Sequence, residues 1–329
     1  MTDEPKQPET SIALVLEYVA PEQIGFASGT TDVPALVQDC AELLVKSGVD
    51  PDRTRLVLTG DFVRSVQDRG EPESAYHQDY DLQRNTGIVA GKTIPRPDST
   101  VDVLLHAAMF APELIEDEAD VRSIFHTLLH EAQHVAIEQH GEASGNFENE
   151  PWARRNLLVA AAQTIDEYRA EAPASTMAGP TGWAGSDIPA SLRAWLEKLQ
   201  ATVEDYQDHL DVQKLSYEVM QETHNAWKLL AYVVAEEVGA GQQLAPSVLD
   251  SDLWVLMVEP HWTEFSQTLR EVPLGNERTP RPTLDRHAEA LSDIFDRWLR
   301  AIGFKFEDNA QGSTFHIVNW QLLLANLDE

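Results

Sequence analysis

Residues 127–140, TLLHEAQHVAIEQH, constrain this chain more than any other stretch. Within them His130, Glu131 and His134 form H-E-x-x-H. Residues four apart are neighbours on one face of an α-helix, roughly 5–6 Å apart at Cβ, so two imidazoles at that spacing can grip one metal ion from the same side. Glu131 is turned about 100° from His130, so it misses the ion but reaches a water bound to it. Two histidine nitrogens and a carboxylate acting as general base suit zinc. The pattern demands a helix with one face left open. Val121, Phe125, Leu128, Ala132 and Ala136 recur at helical spacing on a single stripe, and that stripe packs inward. His130 and His134 fall nearly opposite it and face a cleft. Gly141 reads as the helix stop.

Around this helix the chain has a globular composition. It is 329 residues long, 43% apolar, with eight Trp and ten Phe, enough for one large or two ordinary domains. Cys40 is the single cysteine; an internal disulfide framework is therefore excluded, in keeping with a reducing compartment. The net charge of −31 opposes nonspecific attraction to nucleic acid or to an anionic membrane. The opening MTDEPKQPET is acidic and polar, unlike a secretory signal. No run reaches the length of a membrane span. A soluble cytoplasmic protein is expected, with no direct nucleic-acid binding.

Taken in order, residues 1–10 read as a disordered tail. Residues 11–19 and 54–59 read as strands, and 33–47 as a helix ending at Gly48. Cys40 falls in that helix as a packing residue. Residues 65–85 read as a long polar loop carrying His77. Two strands follow, at 87–94 and 101–107, the second containing His106, and they lead into the metal helix. An edge strand beside it could hold an extended peptide. After Pro151 a nearly all-apolar helix spans 152–171, and the Pro/Gly/Ser-rich residues 173–188 read as a linker. Amphipathic helices are expected at 192–210, 223–238 and 284–302, then a hairpin about NAQG within 304–320.

A catalytic zinc usually has three protein ligands and one open position. Two residues compete for the third. His140 stands six residues after His134, but Ile137 occupies the place where a turn-making glycine belongs, and a helix continuing to Gly141 swings His140 off the ligand face. Met177 is a weak candidate for a methionine turn. Glu167, on the following helix, is the favoured choice, since in a two-helix site the third ligand is a glutamate from the next helix. Glu171, one turn further, could orient a ligating imidazole. Tyr168, His126 and His224 are candidates for stabilising the developing oxyanion.

The segment TLLHEAQH followed by EYRAE resembles the ImmA/IrrE-type zinc metallopeptidases over roughly residues 85–172. The resemblance implies an α+β fold. A zincin-like catalytic domain would occupy residues 11–175, made of a small sheet, the H-E-x-x-H helix and a glutamate-bearing helix. A mainly α-helical half at 190–329 would select a protein substrate or partner. It also implies Zn2+ held by His130, His134 and Glu167, with Glu131 as base in a zinc-dependent endopeptidase. Two other readings stay open: a non-catalytic acidic scaffold retaining the zinc-site helix, and a zinc hydrolase of a non-peptide amide.

Overall fold

The computed structural model describes residues 11–29, 32–70, 82–84, 87–143, 145–182 and 187–318. The expected tail at 1–10, His77, the expected linker's residues 183–186 and the end of the chain from 319 lie outside the described residues. The chain is a mixed α+β protein, 62% helical with a small sheet, as its periodicities predict. Among the described residues no helix is long and apolar enough to cross a membrane. Two compact units are present, Met1–Leu82 with Ile88–Gln139, and Gln83–Gly87 with His140–Glu329.

The first unit is built on a four-stranded sheet. In chain order its strands are β1 (Ala13–Glu17), β2 (Thr54–Thr59), β3 (Gly91–Pro95) and β4 (Val101–His106). Their spatial order is β1-β2-β4-β3. The first two pairings are parallel, and β3 runs antiparallel to β4 with Thr93 opposite Val103. Helices α1 (Ala35–Lys46) and α3 (Glu118–Gln139) cover one face, and α2 (Phe62–Gln67) lies against the other. Alternation decides which side chain goes where. Leu56, Leu58, Val103 and Leu105 join Cys40, Leu44, Leu128 and Val135 on one side. Val57 and Leu104 join Phe62 and Val66 on the other. A sheet covered on both faces explains why TRLVLT and VDVLLH are so apolar. Each fully buried leucine contributes about 1.5–3 kcal/mol. Cys40 is fully buried, which pushes its thiol up to about 12 and leaves it a packing residue.

One charged network interrupts this apolar pattern. Asp102 of β4 is completely buried. It accepts hydrogen bonds from Arg55 Nε at 2.6 Å and from Arg69 Nε at 2.7 Å. Arg69 also donates to both oxygens of Glu17, at 2.7 and 2.9 Å. The three strands carrying Glu17, Arg55 and Asp102 are thereby tied together through side chains as well as backbone.

The second unit holds α4 (Trp152–Ala178), α5 (Ile188–His209), α6 (Val212–Ala240), α7 (Glu259–Arg270) and α8 (Arg281–Ala301), followed by the hairpin strands β5 (Phe304–Asn309) and β6 (Gly312–Ile317). Its core centres on Trp227, stacked on Phe295 with ring centroids 3.5 Å apart, beside Trp298 and Phe265. Small residues let α4 and α6 approach closely. A Cβ on Gly239 would meet the Ala172 carbonyl oxygen at 2.3 Å.

One expectation needs correction here: α4 does not end at 171. It runs through Pro173 to Ala178, and Met177 is an exposed helical residue rather than part of a turn. Proline has no N–H, so it leaves the carbonyl four residues back without its helical donor. That carbonyl belongs to Arg169, and Gly275 N–H donates to it at 3.0 Å. The Arg169 guanidinium, itself buried, holds the same segment through Pro273 O at 2.9 Å and bonds Glu142 at 2.6 Å. Tertiary contacts therefore satisfy what the proline breaks. In the second unit α4 shares its apolar core with α6 and α8.

The start of α4 is capped from far along the chain. Pro151, at its N-terminus, offers no side-chain acceptor. The Asp308 carboxylate of β5 accepts from the N–H groups of Ala153 and Arg154 at 3.0 and 2.9 Å. Burial opposes its ionisation, but hydrogen bonds from Ser313 and from these two N–H groups prevail and hold it below the ordinary aspartate value. Asp308→Ala should cost about 1 kcal/mol, the usual loss of a helix cap. A group with a depressed native pKa stabilises the fold above its unfolded value and loses that effect as pH falls through the native one. The difference between wild type and variant should therefore persist at neutral pH and shrink below 3.8. Urea unfolding at several pH values checks it, and equal midpoints at pH 7 would contradict it.

Candidate metal centre

Helix α3 forms where the sequence pattern places it. Asp117 accepts from the N–H of Ala119 at 2.7 Å and of Asp120 at 3.2 Å, and Asp120 reaches back to Glu116 N at 2.8 Å. These bonds satisfy donors a helix start leaves open. The helix ends at Gln139, and Gly141 takes a left-handed φ of 69°. Ile124, Leu128, Ala132 and Val135 bury one face in the sheet-side core. His130 and His134, on another face, are half-buried.

The two imidazoles converge. His130 Nε2 and His134 Nε2 stand 3.1 Å apart, with ring centroids 4.8 Å apart. Two nitrogens bound to one tetrahedral zinc at about 2.0–2.1 Å would be about 3.3 Å apart. The observed pair fits that requirement closely. Glu167 of α4 completes the group. One ligand atom from each of His130, His134 and Glu167 lies within 4.8 Å of the others. Two imidazole nitrogens and one carboxylate oxygen are a donor set that can hold a metal ion, and one that suits zinc. His140, exposed just beyond the helix, is not a member of this group.

Glu131 is buried and is held by strand β3. Thr93 Oγ1 lies 2.8 Å from Glu131 Oε2 and 3.0 Å from its main-chain oxygen, and its hydroxyl can donate to either. Two residues back, a Cβ on Gly91 would meet Glu131 Cγ at 2.9 Å and Thr127 Cγ2 at 3.0 Å. Only a glycine lets the strand come this near the carboxylate's stem.

Glu167 has its own setting on α6. Tyr232 Oη donates to Glu167 Oε2 at 2.6 Å, and Lys228 Nζ stands 3.8 Å from Oε1. His224 lies one turn before Lys228. Burial, reinforced by the Lys228 charge and only partly offset by Glu167, pushes its imidazole down to about 3, so the ring is neutral. His126 is buried one turn before His130. Tyr168 is 1% exposed within the α4 core, where burial pushes its phenol up to about 12. Glu171 is also buried and accepts from Ser175 Oγ at 3.2 Å. His106 stacks on Phe62 at 4.3 Å and bonds Val89 O through Nε2.

Sequence reasoning misses Gly91, Thr93, Lys228 and Tyr232. A signal for the last two exists. His224, Lys228 and Tyr232 recur every four residues within residues 224–235, whose other positions apart from Asn225 are apolar, a polar line that needs a polar counterpart. Comparison with known protein families, with curated proteins and with solved structures yields no match to this chain.

Proposed function

We propose that this chain is a zinc-dependent endopeptidase of the ImmA/IrrE type, with a zincin-like arrangement of small sheet, H-E-x-x-H helix and glutamate-bearing helix. The observation that carries this reading is that one ligand atom from each of His130, His134 and Glu167 lies within 4.8 Å of the others, with Glu131 beside the histidine pair on the same helix. His130, His134 and Glu167 would hold the ion. Zinc, when bound, polarises a carbonyl and lowers the pKa of a coordinated water. Glu131 would act as general base toward the attacking water and would pass the proton to the leaving amine. Thr93, by donating to Oε2, leaves the other carboxylate oxygen for this transfer. Among the described residues strand β3 is an outer strand of its sheet, and an extended peptide can add to such an edge through main-chain hydrogen bonds. The C-terminal helices would contribute to the choice of protein substrate.

Elemental analysis of purified wild type, Glu167→Ala and His140→Ala tests the ligand set. One zinc per chain, lost in Glu167→Ala and kept in His140→Ala, is the expected pattern, together with chelator-sensitive cleavage of an unfolded protein by the wild type. Loss on removing His140 instead would point to three histidine ligands. Wild type that takes up no zinc on reconstitution would sink the reading.

A further inference from the structure

The line His224–Lys228–Tyr232 on α6 meets Glu167, and a ligating carboxylate can present one oxygen or two. We infer that Tyr232 makes Glu167 a one-oxygen metal ligand, an inference resting on the metal site proposed above. Its hydroxyl donates to Oε2 at 2.6 Å, the short distance of a bond to an ionised acceptor. The phenol fixes one carboxylate oxygen, so Glu167 offers an ion one oxygen rather than both. Two imidazole nitrogens and a single carboxylate oxygen leave a fourth position for water, the arrangement of a hydrolytic zinc site. Without the phenol the carboxylate can turn both oxygens inward and raise the coordination number. Tyr232 is thus a positioning residue, acting through Glu167.

Lys228 acts on the same carboxylate with the opposite sign. Its ammonium, 3.8 Å from Oε1, supplies positive charge where the ion would bring more, so it competes with metal. The two neighbours of Glu167 should therefore be separable by experiment, although they share one helix face.

Zinc affinity is to be measured by competition with a chromophoric chelator for wild type, Tyr232→Phe and Lys228→Met. Each protein is then loaded with Co2+ and its visible spectrum recorded. Tyr232→Phe should bind zinc about 10–100-fold more weakly, the usual effect of losing a hydrogen bond to a metal ligand. Its cobalt d–d bands should weaken as the coordination number rises. Lys228→Met should bind zinc at least as tightly as wild type. Thermal unfolding in excess chelator separates a loss of ligand orientation from a loss of fold. An unchanged affinity or an unchanged cobalt spectrum in Tyr232→Phe overturns the inference and leaves the metal site standing. Equal weakening in both variants also overturns it, since that would report loosened packing of α6. Wild type without zinc removes the metal reading and this inference together.

Discussion

Glu131→Gln is expected to keep a full complement of zinc while lowering cleavage by roughly 10²–10⁴-fold, the range associated with loss of a general base. The substitution changes charge and basicity but not shape. A glutamine amide oxygen can still accept from the Thr93 hydroxyl, so the side chain should stay where β3 holds it. Shape matters at this position, because Glu131 is buried and its Cγ lies against Gly91. What the amide cannot do is take a proton from water near neutral pH. His130, His134 and Glu167 are untouched, so metal content should not move. The measurement is zinc by elemental analysis beside initial cleavage rates on an unfolded protein, with and without chelator. Equal rates in wild type and variant would remove Glu131 from the chemistry.

The second large effect concerns stability. Arg69→Met should destabilise the protein by about 3–5 kcal/mol, the expected cost of removing one partner from a buried ionic network. Arg69 is 6% exposed in its side chain and Asp102 is fully enclosed, while Glu17 is one-quarter exposed. Without the guanidinium, among the described residues Asp102 keeps the more exposed Arg55 and Glu17 keeps the Ser65 hydroxyl at 2.7 Å. Acid unfolding should show the change as well. Burial opposes ionisation of Glu17, yet its hydrogen bonds from Arg69 and Ser65 prevail and hold its carboxyl below the ordinary 4.5. Its contribution is therefore present above 4.5 and lost as pH falls through the lower native value. In Arg69→Met that contribution is absent, and the acid limb of the stability curve should move to higher pH. Denaturant unfolding between neutral and acidic pH reads both effects. A variant as stable as wild type at pH 7 would show that the network contributes little.

The sequence alone determined the local parts of this protein. Alternation and apolar runs located β2 and β4, because a sheet covered on both faces leaves little room for polar residues. The stripe from Val121 to Ala136 located α3, and the four-residue spacing of His130 and His134 specified that both imidazoles share a face. Those are short-range properties, set by geometry within a few turns of chain. Glu167 was legible as the favoured third ligand from its place on the next helix, with His140 as the alternative. Among the described residues, His130, His134 and Glu167 form a group that could hold a metal ion.

Tertiary structure alone decided the rest, for the same physical reason. Pro173 reads as a helix breaker until Gly275 is seen to supply the hydrogen-bond donor that Arg169 O lacks. Gly91 and Thr93 look like ordinary strand residues until α3 lies against β3 and brings Glu131 to them. Tyr232 and Lys228 look like polar positions on a buried helix until α6 packs on α4 and presents them to Glu167. A local pattern specifies a helix and its faces. Which buried polar group meets which partner is set only when distant segments pack, and an unmet one would carry its full desolvation cost.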